Sequence, residues 1–286
     1  MSELPRLMPT DPEMFRATVL SSARVSTSFQ RVTLGGPGLD GFAWQGHDHW
    51  FRFFVPATPG AALVLPEVEG RSWWQAYLAI DEARRPHCSN YTVADLRRTD
   101  GRDTATEIDV DVVLHADETG QLAGRVARWA VAATPGTPVA LLDQGPMFDP
   151  PADTHRVHLA ADESGLPGVR GILRDLAADT AGTAVIEVPT DDDVEPGLAH
   201  PDGVEVTWVI RGGRHDRPGA AALQAVQARS GPVDPLDYAF VVGESTLATG
   251  ARRHLRRGGL PAGRICFSGF YKAHPHPPAR RLGSAG

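Results

Sequence analysis

The hydrophobic pattern of this chain changes its period near residues 148–154, and this change constrains the fold more than any other feature. Before it, short apolar stretches follow one another, as in the strictly alternating EIDVDVVLH of residues 107–115. Alternation with period two is typical of antiparallel strands with one buried face. After it, strand-like stretches alternate with helix-like ones, which is typical of a parallel sheet with helices on both faces.

We therefore predict a β + α/β chain of two domains. An N-terminal antiparallel β-barrel is expected in residues 1–150, interrupted by one helix at 124–133. A doubly wound parallel α/β domain is expected in residues 151–274. The 30 glycines and 24 prolines fit many short strands and turns. Residues 275–286 are predicted to be a disordered tail.

Charge and composition exclude several classes of protein. The net charge of −7 disfavours nucleic acid as a partner. Cys88 and Cys266 are the only cysteines, so neither a zinc site nor an iron–sulfur cluster is expected, and no metal site is predicted. No apolar stretch is long enough to span a membrane, and the first residues lack the pattern of a signal peptide. We therefore expect a cytoplasmic protein without a membrane partner.

Two segments of the first domain carry residue types suited to a flavin. Tyr91 offers a ring face for stacking and Thr92 a hydroxyl donor. The segment at Gly124 predicts a helix start, whose free N–H groups can bind a pyrophosphate. Arg125 and Arg128 oppose the helix dipole there, which a nearby anion would rationalise. Ordinary strand packing and a solvated helix end remain the alternative interpretations.

The order of these motifs resembles the siderophore-interacting proteins, the flavin-dependent ferric-siderophore reductases of the ferredoxin-reductase superfamily. The similarity covers roughly residues 14–274 and is carried chiefly by the second domain. The segments that carry it there are AADESGLPGVRGIL (160–173), VEVTWVIRGG (204–213), VVGESTLATGARRHLRR (241–257) and GRICFSGFYKAH (263–274).

The resemblance implies an FAD site in the first domain. The residues that match its motifs are Tyr91, Thr92, Val93, Leu114, His115, Gly124, Arg125, Val126, Ala127 and Trp129. Two arginines of the family's flavin motif are replaced by Ser89 and Ala94, and a phosphate-binding serine by Ala127. We expect Arg125, or the pair Arg84 and Arg85, to supply the lost positive charge, because the arginine fork suits phosphate.

The resemblance also implies residues that contact the nicotinamide donor and residues that contact the ferric siderophore. Asp162, Glu163 and Ser164 follow a predicted strand and are expected to line the cofactor region at its carboxyl end. A helix N-terminal charge is the alternative for Glu163. Arg52 and Lys272, the only lysine, match basic positions that contact an anionic ferric siderophore. An ordinary surface charge is the alternative for both.

The function implied is an FAD-dependent reductase of ferric siderophores, which takes electrons from NAD(P)H or a ferredoxin and releases Fe(II) in the cytoplasm. No side chain is predicted to act as a catalytic acid, base or nucleophile. Two alternatives stay open. One is a related electron-transfer reductase for another acceptor. The other is a flavin-free siderophore-binding protein, which the replacements at Ser89, Ala94 and Ala127 would favour.

Overall fold

The first half of the chain forms one antiparallel sheet of seven strands with two short helices. The computed structural model describes residues 12–99, 105–116, 119–211, 217–229 and 233–273, and the predicted tail lies outside them. The strands are β1 (Met14–Ser26), β2 (Phe29–Gly35), β3 (Trp50–Val55), β4 (His87–Thr92), β5 (Asp95–Thr99), β6 (Ala105–Val113) and β7 (Pro138–Gly145). The helices are α1 (Trp73–Ala79) and α2 (Arg125–Ala132).

This sheet curls around an aromatic and aliphatic core. Its strand order is β4-β3-β7-β1-β2-β6-β5, and the Ala94 N–H donates to the Asp109 carbonyl at 2.9 Å, which links the end of β4 back to β6. Ile108, Val110 and Val112 of β6 are buried in the core, as their alternation predicts. The helix α2 covers the same core with its apolar face, and the predicted helix at 124–133 is confirmed.

The second half forms a five-stranded parallel sheet with helices on both faces. The strands are β8 (Arg156–Ala161), β9 (Ala181–Val188), β10 (Val204–Ile210), β11 (Tyr238–Glu244) and β12 (Ile265–Tyr271). The helices are α3 (Leu166–Asp175), α4 (Ala220–Ala228) and α5 (Ser245–Arg257). The order β10-β9-β8-β11-β12 reverses direction between β8 and β11. Because α3 packs on one face and α4 and α5 on the other, the predicted fold class is confirmed.

The two sheets contact each other through polar side chains. Arg170 on α3 donates to Asp111 on β6 at 2.6 Å. The buried Asp48 accepts hydrogen bonds from the backbone N–H groups of Met147 and Phe148, in the connection between β7 and β8. These bonds fix the connection where the sequence pattern changes. Among the described residues, none of the helices combines the length and apolarity that crossing a membrane requires.

Candidate functional site

Tyr91 and Thr92 lie at the end of β4, which is an edge strand of the first sheet. An edge strand leaves one row of backbone groups open to a ligand. Tyr91 is half-buried, with its ring edge-on to Phe53 at 5.7 Å between centroids, and burial raises the pKa of its hydroxyl. On the other face, a Cβ added at Gly168 of α3 would lie 3.9 Å from Thr92 Oγ1. Thr92 is therefore next to the second domain.

The start of α2 lies beside the same strand. Gly124, at φ 82°, precedes the helix without a capping side chain, so the first N–H groups of α2 have no partner among the described residues. Burial lowers the pKa of His87 on β4, and the charge of Arg125 lowers it further, which places Arg125 near that strand. Ser89 is on the same strand face as His87, and its buried Oγ has no hydrogen-bond partner in the described structure.

The structure distinguishes the arginines that could replace the lost charge. Arg85 donates to the carbonyl oxygens of Leu78 and Ile80 and so closes the end of α1. Arg128 donates to the Leu122 carbonyl at 3.1 Å. Arg125 is exposed and makes no side-chain hydrogen bond or ion pair within the described part of the chain. This favours Arg125 as the arginine available to an anion at the α2 start.

The remaining predicted residues of the first domain pack or hydrogen-bond within the protein around the end of β4 and α2. Val126 and Ala127 are buried in the barrel core, so Ala127 can offer a ligand only its backbone N–H. The ring of Trp129 packs edge-on against Phe53 at 5.4 Å. The backbone N–H groups of Val93 and Leu114 donate to the carbonyls of His49 and Ser28 respectively. These contacts hold the strand end and α2 in place.

Four buried carboxylates lie at the carboxyl ends of the parallel strands, and Asp162 is the most central. Its carboxylate accepts hydrogen bonds from the Ser164 hydroxyl at 2.6 Å, the Glu244 N–H at 2.6 Å and the Tyr271 hydroxyl at 3.2 Å. It fits because residue 243 is glycine at φ 123°, where a Cβ would come within 2.6 Å of that carboxylate. Burial, and then the charge of Glu163, raise the pKa of Asp162 to about 6.

Glu187 and Glu244, two others of the four, serve the neighbouring helices. Glu187 accepts from the N–H groups of Gly219 and Ala222 at the start of α4, each at 2.9 Å. Glu244 accepts from the Thr246 N–H at the start of α5 and from Arg217. Both are helix N-terminal charges that stabilise their helices. Their carboxylates are therefore already hydrogen-bonded to groups of the protein itself.

Glu163 differs from these two carboxylates. Its Oε2 pairs with Arg211, which also donates to Glu187 at 2.8 Å. Its buried Oε1 has no hydrogen-bond partner in the described structure, and burial raises the pKa of the carboxyl. His115, from the first domain, brings its Nδ1 to 3.7 Å from this oxygen. Glu163 Oε1 is thus an acceptor that a donor on a bound ligand could satisfy.

The described structure therefore brings His115 together with Asp162, Glu163 and Ser164, at the switch point of the parallel sheet. Burial lowers the pKa of His115, and the positive charge of Arg211 acts in the same direction. The ring of Tyr271 lies 6.3 Å from that of His115. Sequence reasoning missed Tyr271 as a site residue; its position at the end of the last strand, directly before Lys272, was the available signal.

The predicted substrate residues come from different domains. Arg52, on β3, donates to Asn90 at 3.1 Å, and its guanidinium lies 4.9 Å from the ring centroid of Trp73. Lys272 is exposed after β12, between two residues whose backbones bond to Ser245 and Glu244. Within the described ranges, no group of three or more His, Cys, Asp and Glu side chains is placed to hold a metal ion. The roles of all these residues stay predictions.

Comparison with known proteins supports the similarity to siderophore-interacting proteins in both halves of the chain. Residues 18–147 match the family model of a siderophore-interacting FAD-binding domain, and residues 154–274 that of a siderophore-interacting protein. A Mycobacterium tuberculosis protein is 36% identical over 201 residues, which cover 69% of this chain and 65%, less than two thirds, of that protein. The NADPH-dependent ferric-chelate reductase of Escherichia coli is 28% identical over 279 residues, covering 94% and 97% of the two chains.

A solved structure shows the same architecture over almost the whole chain. The crystal structure of a siderophore utilization protein from T. fusca superimposes with a TM-score of 0.73 at 27% identity. The match covers 94% of this chain and 97% of that one.

Proposed function

The chain belongs to the siderophore-interacting protein family, and we propose that it is an FAD-dependent reductase of ferric siderophores. The observation that carries the proposal is the set of aromatic and polar groups beside β4 that are free to contact a ligand. Tyr91, Arg125, the Ser89 Oγ and the first N–H groups of α2 lie beside one edge strand, and the last two have no partner among the described residues. A ring, a hydroxyl, free N–H groups and a guanidinium are the groups that a dinucleotide flavin requires.

The residues present fit FAD despite the three replacements. The arginine expected at Ser89 is replaced by a smaller donor with an unsatisfied hydroxyl, and Arg125 brings a positive charge from α2. At Ala94, the small side chain borders a cavity of about 240 Å³ whose lining includes Arg31 and Arg170. Both of these arginines are paired with Asp111, so Arg125 is the cation that we expect to replace the lost charge. We assign the pyrophosphate to Arg125, Ser89 and the α2 N–H groups, and the flavin ring to Tyr91 and Thr92.

Each remaining group has a binding or positioning role in this proposal. When bound, FAD supplies the exchange between a two-electron nicotinamide donor and single-electron transfers to Fe(III). Asp162, Glu163 and His115 orient the nicotinamide nucleotide at the switch point, where ligands of such sheets bind. Arg52 and Lys272 hold the anionic ferric complex. No side chain needs to act as an acid or base at the iron, because Fe(II) binds siderophores more weakly and leaves.

The test starts from the visible spectrum and flavin content of the purified protein. We expect a yellow protein that contains FAD, is reduced under anaerobic conditions by NADPH or NADH, and then forms Fe(II) from a ferric chelate in the presence of an Fe(II)-specific dye. Reduced ferredoxin forms the third arm of the donor comparison. A colourless preparation that cannot be reconstituted with FAD but binds ferric siderophores would overturn the reductase and favour the binding protein.

The assignment of the pyrophosphate is tested by Arg125→Ala. Loss of a charge-assisted, bidentate phosphate contact should weaken FAD binding by about tenfold or more. Arg128→Ala is the matched control, because Arg128 lies one turn along α2 and bonds to the Leu122 carbonyl instead. FAD affinity is measured by fluorescence titration of the apoprotein. Equal dissociation constants for the two variants would contradict the assignment.

A further inference from the structure

The charge of this chain is distributed unevenly along the sequence. Glu244 is the last acidic residue, and the segment after it contains seven arginines and one lysine, although the whole chain has a net charge of −7. Such an asymmetry indicates a local surface for an anionic partner. Four of these cations lie in the second half of α5, and we call them the α5 arginines: Arg252, Arg253, Arg256 and Arg257.

The α5 arginines occupy the outer face of an amphipathic helix. The inner face packs on the parallel sheet through buried apolar side chains, among them Leu247 and Leu255. On the outer face, Arg252 is half-buried and the other three α5 arginines are exposed. Together these four side chains line a concave space of about 570 Å³. This volume is in the range of small-molecule binding sites.

The positive charge of this site is uncompensated. Within the described part of the chain, none of the α5 arginines forms an ion pair. Arg257 Nε donates to the Arg253 carbonyl at 3.3 Å, a contact inside the same helix. At the end of the neighbouring helix α4, in contrast, Arg229 pairs with Glu205 at 3.0 Å. The concave space is therefore lined by cations whose charge a ligand could balance.

Arg252 adds a buried donor to this site. Its guanidinium lies 4.6 Å from the ring centroid of Phe267 on β12, which fixes its position. Its Nε is buried and has no hydrogen-bond partner in the described structure. A buried donor without an acceptor is unfavourable, because it has lost its contact with water. An acceptor oxygen on a ligand between the α5 arginines would remove this cost.

The helix dipole explains only half of the arrangement. Arg256 and Arg257 are in the last turn of α5, where positive charge is favourable. Arg252 and Arg253 lie one turn earlier, and each has a like charge four residues further on. Like charges at this spacing destabilise a helix. A multiply charged anion between the two pairs would turn this repulsion into attraction.

The α5 arginines are separate from the candidate nicotinamide site. The helix begins at Ser245, directly after the Glu244 N–H that donates to Asp162 at the carboxyl edge of the sheet. Arg252 and Arg257 are seven and twelve residues further along, which is about 10 to 18 Å along the helix axis. They therefore lie toward the amino edge of the sheet, and the nucleotide expected near Asp162 leaves them unoccupied.

The surroundings favour a small anion over a macromolecule. In the described structure, none of the exposed large apolar side chains lies on α5, whereas a helix that binds a membrane surface also inserts apolar side chains. A long nucleic acid would extend beyond the four arginines onto a chain that is otherwise strongly acidic. A compact anion contacts only the basic site.

We propose that the α5 arginines bind the triphosphate group of a small molecule, either free tripolyphosphate or a nucleoside triphosphate. The guanidinium fork matches phosphate oxygens bidentately, and a triphosphate offers enough charge and enough acceptor oxygens for several forks at once. This site goes beyond the proposed reductase activity and does not depend on it.

The test is calorimetric titration of the purified protein with tripolyphosphate at low ionic strength, in the presence of saturating NADP⁺. The double variant Arg253→Ala/Arg257→Ala should bind tripolyphosphate about tenfold or more weakly, because it loses two charge-assisted contacts. Replacing the same two residues by lysine should restore part of the affinity, since the charge remains without the fork. Arg24→Ala/Arg229→Ala is the matched control: it removes two exposed arginines that bond elsewhere in the protein.

Titration with ATP and with adenosine identifies the source of the triphosphate. Equal affinities for ATP and tripolyphosphate, with no binding of adenosine, would assign the site to the phosphate chain alone. A much higher affinity for ATP that is lost in Arg253→Ala/Arg257→Ala would assign it to a nucleotide.

Three outcomes would overturn this inference. The first is equal affinity for tripolyphosphate in the two double variants, with thermal unfolding equal to that of the unmodified protein. The second is binding of tripolyphosphate only when NADP⁺ is left out, which would place it at the nicotinamide site. The third is binding to phosphatidylglycerol vesicles without binding of tripolyphosphate, which would assign the α5 arginines to a lipid surface.

Discussion

Two groups of buried carboxylates lie where the halves of this protein meet, and their surroundings differ. Asp109 and Asp111 on β6 are saturated by positive partners: Arg31 bonds to both oxygens of Asp111 at 2.7 and 2.9 Å, and Arg97 to both oxygens of Asp109. Asp162 and Glu163 follow β8 and crowd each other. Among the described residues, Glu163 alone of the two has a cationic partner, Arg211, and one of its oxygens has no hydrogen bond there.

The pKa directions express this difference. Burial alone would raise the pKa of Asp111, but the hydrogen bond from Arg31 and the charge of Arg170 hold it below its usual value. For Asp162, burial and the neighbouring Glu163 together raise the pKa. Asp111 thus stabilises the contact between the sheets, while Asp162 and Glu163 hold unfavourable charge at the edge of the parallel sheet where we expect a ligand. Such strained ionisation is typical of functional sites, where a bound ligand relieves it.

The largest expected effect is that of Asp111→Asn. It leaves Arg31 and Arg170 without their shared carboxylate, and should lower the free energy of unfolding by about 3 kcal/mol at pH 7. The pKa of Asp111 is lowered in the folded state, so its stabilisation is present above about pH 4 and is lost as the pH falls further. Urea denaturation at a series of pH values measures both effects, and the deficit of the variant should shrink in acid.

The control for this substitution is Glu205→Gln. Glu205 pairs with Arg229 at 3.0 Å, but 69% of its side chain is exposed. Solvent screening limits such a pair to at most about 1 kcal/mol. If the two substitutions lowered the free energy of unfolding equally, the Asp111 contacts would not be the distinctive link between the sheets.

The two carboxylate groups also show what could be predicted from the sequence. The alternation of β6 placed Ile108, Val110 and Val112 in the core, and strand order implied that Asp162 and Glu163 end a parallel strand. Alternation also put Asp109 and Asp111 on the opposite face, but it could not show that they are buried there, because their partners Arg31, Arg97 and Arg170 come from other elements. Long-range pairing of this kind has no local sequence pattern.

The same limit applies to the candidate site. Tyr91 and Thr92 could be predicted from a sequence motif, and Gly124 from the residue types that begin a helix. The packing of Arg52 over Trp73 could not be predicted, since α1 lies in a connection without a clear period and β3 contributes Arg52. Likewise, the sequence does not show that Arg85 donates to carbonyl groups of α1, which leaves Arg125 as the better candidate for the phosphate contact.

A second prediction concerns Asp162→Asn and has the opposite dependence on pH. The pKa of Asp162 is about 6 in the folded state against 3.8 for the free side chain. As the pH rises from 4 to 6 the unfolded chain loses this proton first, so ionisation removes stability from the unmodified protein. Asparagine cannot ionise. The stability of the variant relative to the unmodified protein should therefore increase by roughly 2–3 kcal/mol between pH 4 and pH 7.

Urea denaturation of both proteins across this range provides the measurement, with Asp111→Asn as the internal reference. The relative stability of Asp111→Asn should fall as the pH rises through the acid range, whereas that of Asp162→Asn should rise. A parallel trend in the two variants would mean that Asp162 is as well compensated as Asp111, and the contrast between the two groups would be lost.

The smallest expected effect is that of Tyr271→Phe, which removes one donor from Asp162. Burial and the nearby carboxylates raise the pKa of Tyr271, so its hydroxyl remains a donor throughout the neutral range. Its loss should cost about 1 kcal/mol at pH 8, where Asp162 is ionised, and less at pH 4, where Asp162 is protonated. Tyr238→Phe is the matched control, because the Tyr238 hydroxyl accepts from the Asp149 N–H at 3.3 Å. The loss in Tyr238→Phe should not vary between these pH values, and an equally invariant loss in Tyr271→Phe would show that Tyr271 does not support the charge of Asp162.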